Sequence, residues 1–381
     1  YYIFCLFQRE NQVIYYIFIC NIISVATDIS WFFQGLEEFG KIVVRNAVFK
    51  LLNIIFIFAF VKAKDDLALY AVGMCLIPVI GNLFLWPYLP RYINRININT
   101  VHCLKKTKEI VSLFIPTVAI QIYTVLDKTM IGVITKQSFE NGYYEQAERI
   151  AKMALTIVTS LGVVMIPRIG TCFAQNKHKE IQEYMYQSYR FVWMIGIPIC
   201  FGLIGIAANL IPWFLGPGYD DVIPLLHILS FLVLAIGISN VTGLQYLIPT
   251  KRQNWFTLTV CFGAIVNFGA NLYLIYAWAS MGAAIASVLA ESAIAVTQLL
   301  IVRKELNLRH IIILSRKYLI AGIVMLIVLL FESSILVPAI VNTFIMVVSG
   351  ITTYFIILFV LRDSFFITNL RMFIEKIHLK I

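Results

Sequence analysis

Several charged side chains lie inside apolar runs, and their spacing groups them. The stretch Val125 to Gly132 carries Asp127 beside Lys128, and the next apolar run opens Tyr143-Tyr-Glu-Gln-Ala-Glu-Arg-Ile-Ala-Lys152. Glu145, Arg149 and Lys152 are spaced four and three apart, which sets them on one face of a helix. On two adjacent antiparallel helices, Asp127, Lys128, Glu145, Arg149 and Lys152 would surround one hydrated space. A Lys, Arg or Asp at mid-bilayer costs at least about 2.5 kcal/mol, so such residues line a polar cavity or pair with one another. Two chemistries are open: a cationic cavity for an anionic substrate, or an interfacial ion-pair cluster whose long side chains reach the headgroups. The first is the expectation taken forward.

Three further positions extend that set. Lys50 sits about two turns into its apolar run and is expected to contact substrate, whereas Arg45, nearer the end, is expected to anchor at the headgroups. Asp28, Glu291 and Asn267 also fall inside apolar runs, where each either pairs with a base, carries a coupling ion or makes a structural hydrogen bond. The candidate substrate-binding residues are thus Lys50, Asp127, Lys128, Glu145, Arg149 and Lys152, and the candidate ion-coupling residues Asp28, Asp127 and Glu291.

The elements that must hold these residues are membrane helices. Of 381 residues, 60% are apolar and 13% charged, with a mean hydropathy of +0.86; an ordinary soluble domain is about 25% charged. Apolar runs long enough to cross roughly 30 Å of hydrocarbon recur along the chain, and in lipid only helices or closed barrels satisfy the backbone. Eleven helical spans are predicted: 13–33, 42–61, 67–89, 110–134, 147–172, 189–214, 222–248, 256–277, 279–302, 313–331 and 335–361. The chain opens inside an apolar run without an initiator Met, as a piece of a longer protein would.

Basic residues sort by side when the connections alternate. One side collects twenty-one Lys and Arg, and the other only Arg9, Lys62, Lys64 and Lys136. The positive-inside rule makes the first side cytoplasmic and puts the C-terminus inside. The excess of +10 therefore reads as orientation rather than nucleic-acid binding. Every outer connection is short, which disfavours a membrane enzyme that carries its catalytic residues on a long outer loop.

Chemistry of other kinds has no support. The seven cysteines are scattered singly and the five histidines are isolated, so neither a metal site nor a cofactor is expected. Gly35-Leu-Glu-Glu-Phe-Gly40-Lys41 nearly spells a phosphate-binding loop, but Ile42 replaces the Ser or Thr that holds magnesium, and two glutamates would repel phosphate. The Asn240-Val-Thr242 sequon falls inside a span. No HExxH, GxSxG or paired-carboxylate motif marks an enzyme. A weak repeat relates Gln34 to Gln245, each expected at the inner end of a span and followed by a basic turn, a helix, a tight outer turn and another helix.

The segments Asp28-Ile-Ser-Trp-Phe-Phe-Gln-Gly-Leu-Glu-Glu-Phe39, Leu126-Asp-Lys-Thr-Met-Ile-Gly132, Gly142-Tyr-Tyr-Glu-Gln-Ala147 and Val164-Met-Ile-Pro-Arg168 resemble the Wzx-type polysaccharide repeat-unit flippases of the multidrug/oligosaccharidyl-lipid/polysaccharide exporter superfamily. The resemblance implies an all-α polytopic fold of up to fourteen helices, in two pseudo-symmetric lobes around a central cavity. Residues 1–91 would then be the remainder of the first lobe, 92–109 a cytoplasmic linker, 110–304 the second lobe and 305–381 two extra helices with a basic tail. It implies an undecaprenyl-diphosphate-linked oligosaccharide as substrate, moved across a bacterial cytoplasmic membrane by alternating access. Membrane lipids, and other polysaccharide-assembly proteins, would be its partners. A multidrug or cation antiporter of the same superfamily is the alternative, and would want a more acidic and aromatic cavity; a polysaccharide polymerase-type membrane enzyme is the less favoured one, since that class resembles proteins with a long catalytic outer loop.

Overall fold

The computed structural model describes residues 12–36, 38–63, 66–92 and 107–368. Among these every long element is a helix and none is a strand. The chain divides into two compact units, one up to Cys103 and one from Leu104. The first comprises α1 (Gln12–Thr27), the short α2 (Ser30–Gly35), α3 (Phe39–Phe60) and α4 (Leu67–Leu83), closed by a 3-10 turn at Trp86–Arg91. The expected linker between lobes falls mostly in 93–106, and the basic tail from 369 onward; both lie outside the described residues.

The second unit holds α5 (Thr107–Thr135), α6 (Ser138–Ala174), α7 (His178–Phe214), α8 (Val222–Leu229) and α9 (Leu232–Ser239). A π-helical segment (Asn240–Leu247) continues α9, and α10 (Gln253–Val302), α11 (Leu308–Ile335) and α12 (Ile340–Val360) follow. Nine stretches of the described chain are long and apolar enough to cross a membrane. The fifty-residue α10 is two of the expected spans, since its backbone leaves helical geometry at Trp278 and Ala279, with Ala279 at φ +47°. The two arms fold back so closely that a Cβ on Gly282 would lie 1.9 Å from the Leu274 carbonyl oxygen. With α5 added, each of the eleven expected spans falls on helix, and the turn expected near Ala279 is present.

Apolar periodicity misjudges lengths. The helices α6 and α7 each begin about ten residues before the runs predicted at 147 and 189. At 37 residues each is about 55 Å long, well beyond the hydrocarbon layer. Their extra turns are polar, and helical hydrogen bonding continues there because nothing in the sequence breaks it. Large apolar side chains cover the outside, Phe58 and Tyr276 being 80% and 85% exposed, as expected of surfaces solvated by lipid tails. The cores of the second unit sit where α6, α7, the 222–247 span and α10 meet, and where α11 and α12 pack on α7.

Candidate functional site

Most of the expected charged set comes together in the second unit. Asp127, on α5, is buried. Its carboxylate accepts hydrogen bonds from Asn271 Nδ2 at 2.6 Å, Ser287 Oγ at 2.7 Å and the Tyr144 hydroxyl at 3.1 Å. These donors come from the first arm of α10, its second arm and α6, so one carboxylate ties three helices to α5. All three are neutral. Asn271 also donates to Asn267 Oδ1 at 3.0 Å, yet Asn271 Oδ1 and Asn267 Nδ2 are buried without a partner.

The cations of the set are held by carboxylates. Lys152 Nζ lies 2.6 Å from Glu148 Oε1, Lys128 Nζ 3.3 Å from Glu148 Oε2, and Arg149 Nη2 3.3 Å from Glu145 Oε1. Glu148 is buried whereas the three cations are partly or largely exposed. It is not among the residues that sequence reading picks out, although its spacing of four from Lys152 is the signal that would have found it.

Two spaces adjoin at this ion pair. A shallow depression of about 410 Å³ is lined by Lys128, Glu145, Glu148, Arg149, Lys152, Met153 and Thr156. A deeper pocket of about 190 Å³ is lined at one end by Asp127, Tyr144, Glu148, Lys152 and Ser287, and at the other by Ser239, Asn240 and Gln298. Glu291 lies between, and Leu232, Ile236, Leu244, Phe256, Val260 and Ile294 complete the walls. Ser287, Glu291, Ile294 and Gln298 are spaced four, three and four, a single helix face that the sequence displays but that polarity alone does not select. The depression carries three cations against two carboxylates. The pocket carries three carboxylates against Lys152 alone, the reverse of the expected cationic cavity.

The remaining candidates lie apart from this cluster. Lys50 is exposed on α3 and lines a pocket of about 160 Å³ in the first unit together with Arg45, Phe49 and Asn82. Arg45 is not a headgroup anchor: it is 7% exposed and donates to Asn82 Oδ1 and Ser30 Oγ. Asn82 in turn donates to the Ser24 carbonyl oxygen. Asp28, expected to be buried, is exposed and accepts from the backbone N–H of Ser30 at 2.8 Å, a turn that starts α2. Gln34 is exposed while Gln245 is buried, so the two glutamines of the weak repeat have different surroundings.

Beyond the spans, a clamp closes one end of the second unit. Arg252, which precedes α10, donates to both carboxylate oxygens of Glu305, which follows it, at 2.7 and 2.9 Å. Burial pushes the Glu305 carboxyl up, but its bonds to Arg252 and Tyr246 outweigh burial and hold it below the ordinary value.

Residues 9–173 match the family described as "Polysaccharide biosynthesis protein". The chain is 24% identical over 300 residues to a putative O-antigen transporter of Shigella dysenteriae, covering 75% of this chain and 72% of that protein. It is 22% identical over 299 residues to a putative O-antigen transporter of Escherichia coli K12, covering 78% and 72%. Its fold matches the lipid II flippase MurJ in an inward closed conformation at a TM-score of 0.64, with 17% identity, over 82% of this chain and 66% of MurJ. The resemblance to Wzx-type flippases of the exporter superfamily is borne out. An outward-facing multidrug resistance MATE family transporter of the MOP superfamily also matches, at a TM-score of 0.53 and 14% identity, over 72% of this chain and 62% of the transporter. The chain therefore spans about two thirds of the solved proteins it resembles.

Proposed function

We propose that this protein moves a polyprenyl-diphosphate-linked oligosaccharide from the inner to the outer leaflet of a bacterial cytoplasmic membrane for surface-polysaccharide assembly. The observation that carries the reading is the ion-paired cluster of Lys128, Glu148 and Lys152, set in a membrane helix bundle of a chain similar to O-antigen transporters. The lipid tail is at ease in either leaflet, so the obstacle is the sugar and the diphosphate. Lys128, Arg149 and Lys152 replace water around the phosphates through charge-assisted bonds. In this reading the side bearing Arg252 and Glu305 is cytoplasmic. A diphosphate leaving a negative interior gains about 2.3 kcal/mol per charge per 100 mV, so ATP is not needed.

Asp127 is the residue we assign to a coupling cation. It is a buried carboxylate held by neutral donors, with the unpartnered Asn271 Oδ1 alongside, oxygen ligands to offer a monovalent cation. Glu291 lines the same pocket; Asp28 has a local structural partner instead.

The acidic lining of the deeper pocket favours a second reading, export of organic cations. Reconstitution separates the two. Proteoliposomes are loaded with a fluorescent polyprenyl-diphosphate oligosaccharide, and membrane-impermeant dithionite reports which leaflet it occupies. The flippase reading expects protein-dependent loss of protected fluorescence, reduced by Lys152→Ala. Protection equal to that of empty liposomes, with tetraphenylphosphonium transported instead, would replace it with the antiporter reading.

A further inference from the structure

The deeper pocket does not suit a phosphate. Asp127, Glu148 and Glu291 all line it, and its one cation, Lys152, is held by Glu148. An organic cation, the occupant under the second reading, would have to compete for carboxylates that are already engaged. Glu148 already has two ammonium partners, Asp127 has three neutral donors, and the far end presents the hydroxyl and amides of Ser239, Asn240 and Gln298. Ser287 and Gln298 are eleven residues apart on one helix arm, so the polar groups at the two ends are separated by about 16 Å. Apolar wall, including Ile236 and Ile294, lies between them beside Glu291, and the ring of Phe256 borders the amide end. Carboxylates and amides with apolar wall between and an aromatic ring at one end form the surface that a sugar chain matches with its hydroxyls and its C–H faces.

Two further observations point to a ligand there. Gln298 is fully buried and lines the pocket; its Nε2 donates to Thr259 Oγ1 at 3.2 Å while its Oε1 has no partner. A buried amide atom without a partner costs about 1–3 kcal/mol, which a ligand hydroxyl would recover. Second, the wall at this end is π-helical over Asn240–Leu247, an irregularity that accompanies functional sites. Gly243 within it leaves the space that Phe256 and Gln298 occupy, because a Cβ there would lie 2.7 Å from the Phe256 ring and 2.9 Å from Gln298 Nε2.

We propose that this pocket is a saccharide subsite that binds the neutral sugars of the lipid-linked substrate, with Gln298 and Asn240 reading hydroxyls at one end and the phosphates staying with Lys128 and Lys152 in the adjoining depression. The assignment rests on the flippase reading and adds a specificity to it: a uronic acid is rejected because three carboxylates face it.

The test measures binding of three probes to the purified protein: undecaprenyl diphosphate, the same lipid bearing a neutral trisaccharide, and the same lipid bearing a trisaccharide with a uronic acid. The neutral glycolipid binds tightest. Gln298→Leu and Asn240→Leu each lower its affinity about tenfold more than that of the sugar-free lipid, the worth of one or two hydrogen bonds. Hydrogen exchange on the unaltered protein gives a readout that does not depend on variants folding. The neutral glycolipid slows exchange at Asn240–Leu247 and the sugar-free lipid does not. If all three lipids bind alike, or exchange at 240–247 is the same with and without sugar, the saccharide subsite falls while the flippase reading stands. If no lipid binds and tetraphenylphosphonium does, both fall.

Discussion

Replacing Glu148 by Gln should tighten the hold on phosphate rather than loosen it. Glu148 sits 2.6 Å from Lys152 and 3.3 Å from Lys128; at an effective dielectric of 20 the bare attractions are about 6 and 5 kcal/mol. Little of that is net, because the lysine side chains are 45% and 35% exposed and recover hydration when released. Each pair is worth about 1 kcal/mol after solvent screening. A diphosphate that takes the lysines must displace Glu148 from both, so removing that competitor returns about 1–2 kcal/mol, a five- to thirtyfold gain in affinity. Glutamine keeps the shape, and the apparent Tm should drop by only a few degrees. Titration of undecaprenyl diphosphate against both purified proteins measures the ratio, with Lys152→Ala as the opposite control. Binding weakened by Glu148→Gln as much as by Lys152→Ala would refute the reasoning, since Glu148 would then be a ligand contact rather than a displaceable counter-ion. Transport should fall even as binding rises, because release in the outer leaflet then lacks the carboxylate that takes the lysines back.

Other substitutions probe separate parts of the same account. Asp127→Asn keeps the volume and removes the charge; proteoliposome transport should lose its dependence on a sodium or proton gradient while glycolipid binding remains within a few fold. Gly282→Ala places a methyl 1.9 Å from the Leu274 carbonyl oxygen, against backbone that cannot yield, and should lower the detergent-solubilised Tm by more than any single site change in the pocket. Arg45→Leu leaves Asn82 and Ser30 without their charged donor and should cost about 2–3 kcal/mol, read as lost thermal stability, whereas a headgroup anchor would tolerate it. The Glu305 carboxyl is depressed in the fold, so its clamp to Arg252 stabilises above the ordinary glutamate range and is lost as pH falls through the lowered value; Glu305→Gln should flatten that acid limb of a Tm-against-pH curve. For orientation, a Cys introduced as Lys106→Cys should resist a membrane-impermeant maleimide in intact cells and react in inverted vesicles.

What the sequence made legible follows from what a bilayer does to side chains. Span positions could be read because hydrocarbon forces apolar runs of fixed length, and even the hairpin inside the fifty-residue α10 was visible as a break near Ala279. The charged cluster stood out because Asp127, Lys128, Arg149 and Lys152 are costly where they lie. Two things were hidden. Arg45 looks in sequence like any basic residue near a span's end; only the packing of α4 and α1 brings Asn82 and Ser24 round it. Glu148 was lost among its charged neighbours, and the amide end of the pocket was lost for the opposite reason, since Asn240 and Gln298 are ordinary polar residues until folding sets them on one wall.

The hidden residues change what the visible ones mean. Read as a list, the charges of α5 and α6 total more cations than the deeper pocket can use, and they suggest one basic chamber. In the fold the same charges divide at the Glu148–Lys152 pair, with a cation-rich depression on one side and an acidic, amide-lined pocket on the other. A substrate with a dianionic joint and a neutral, hydroxyl-covered head has that same division within a few ångströms of its own length. One uniformly cationic chamber would hold the phosphates but leave the sugar hydroxyls without acceptors, and phosphates held too well would never leave. Under the proposed function, splitting the chemistry between two adjoining spaces, with a displaceable carboxylate at the border, would let the diphosphate be gripped and released while the sugars are checked separately.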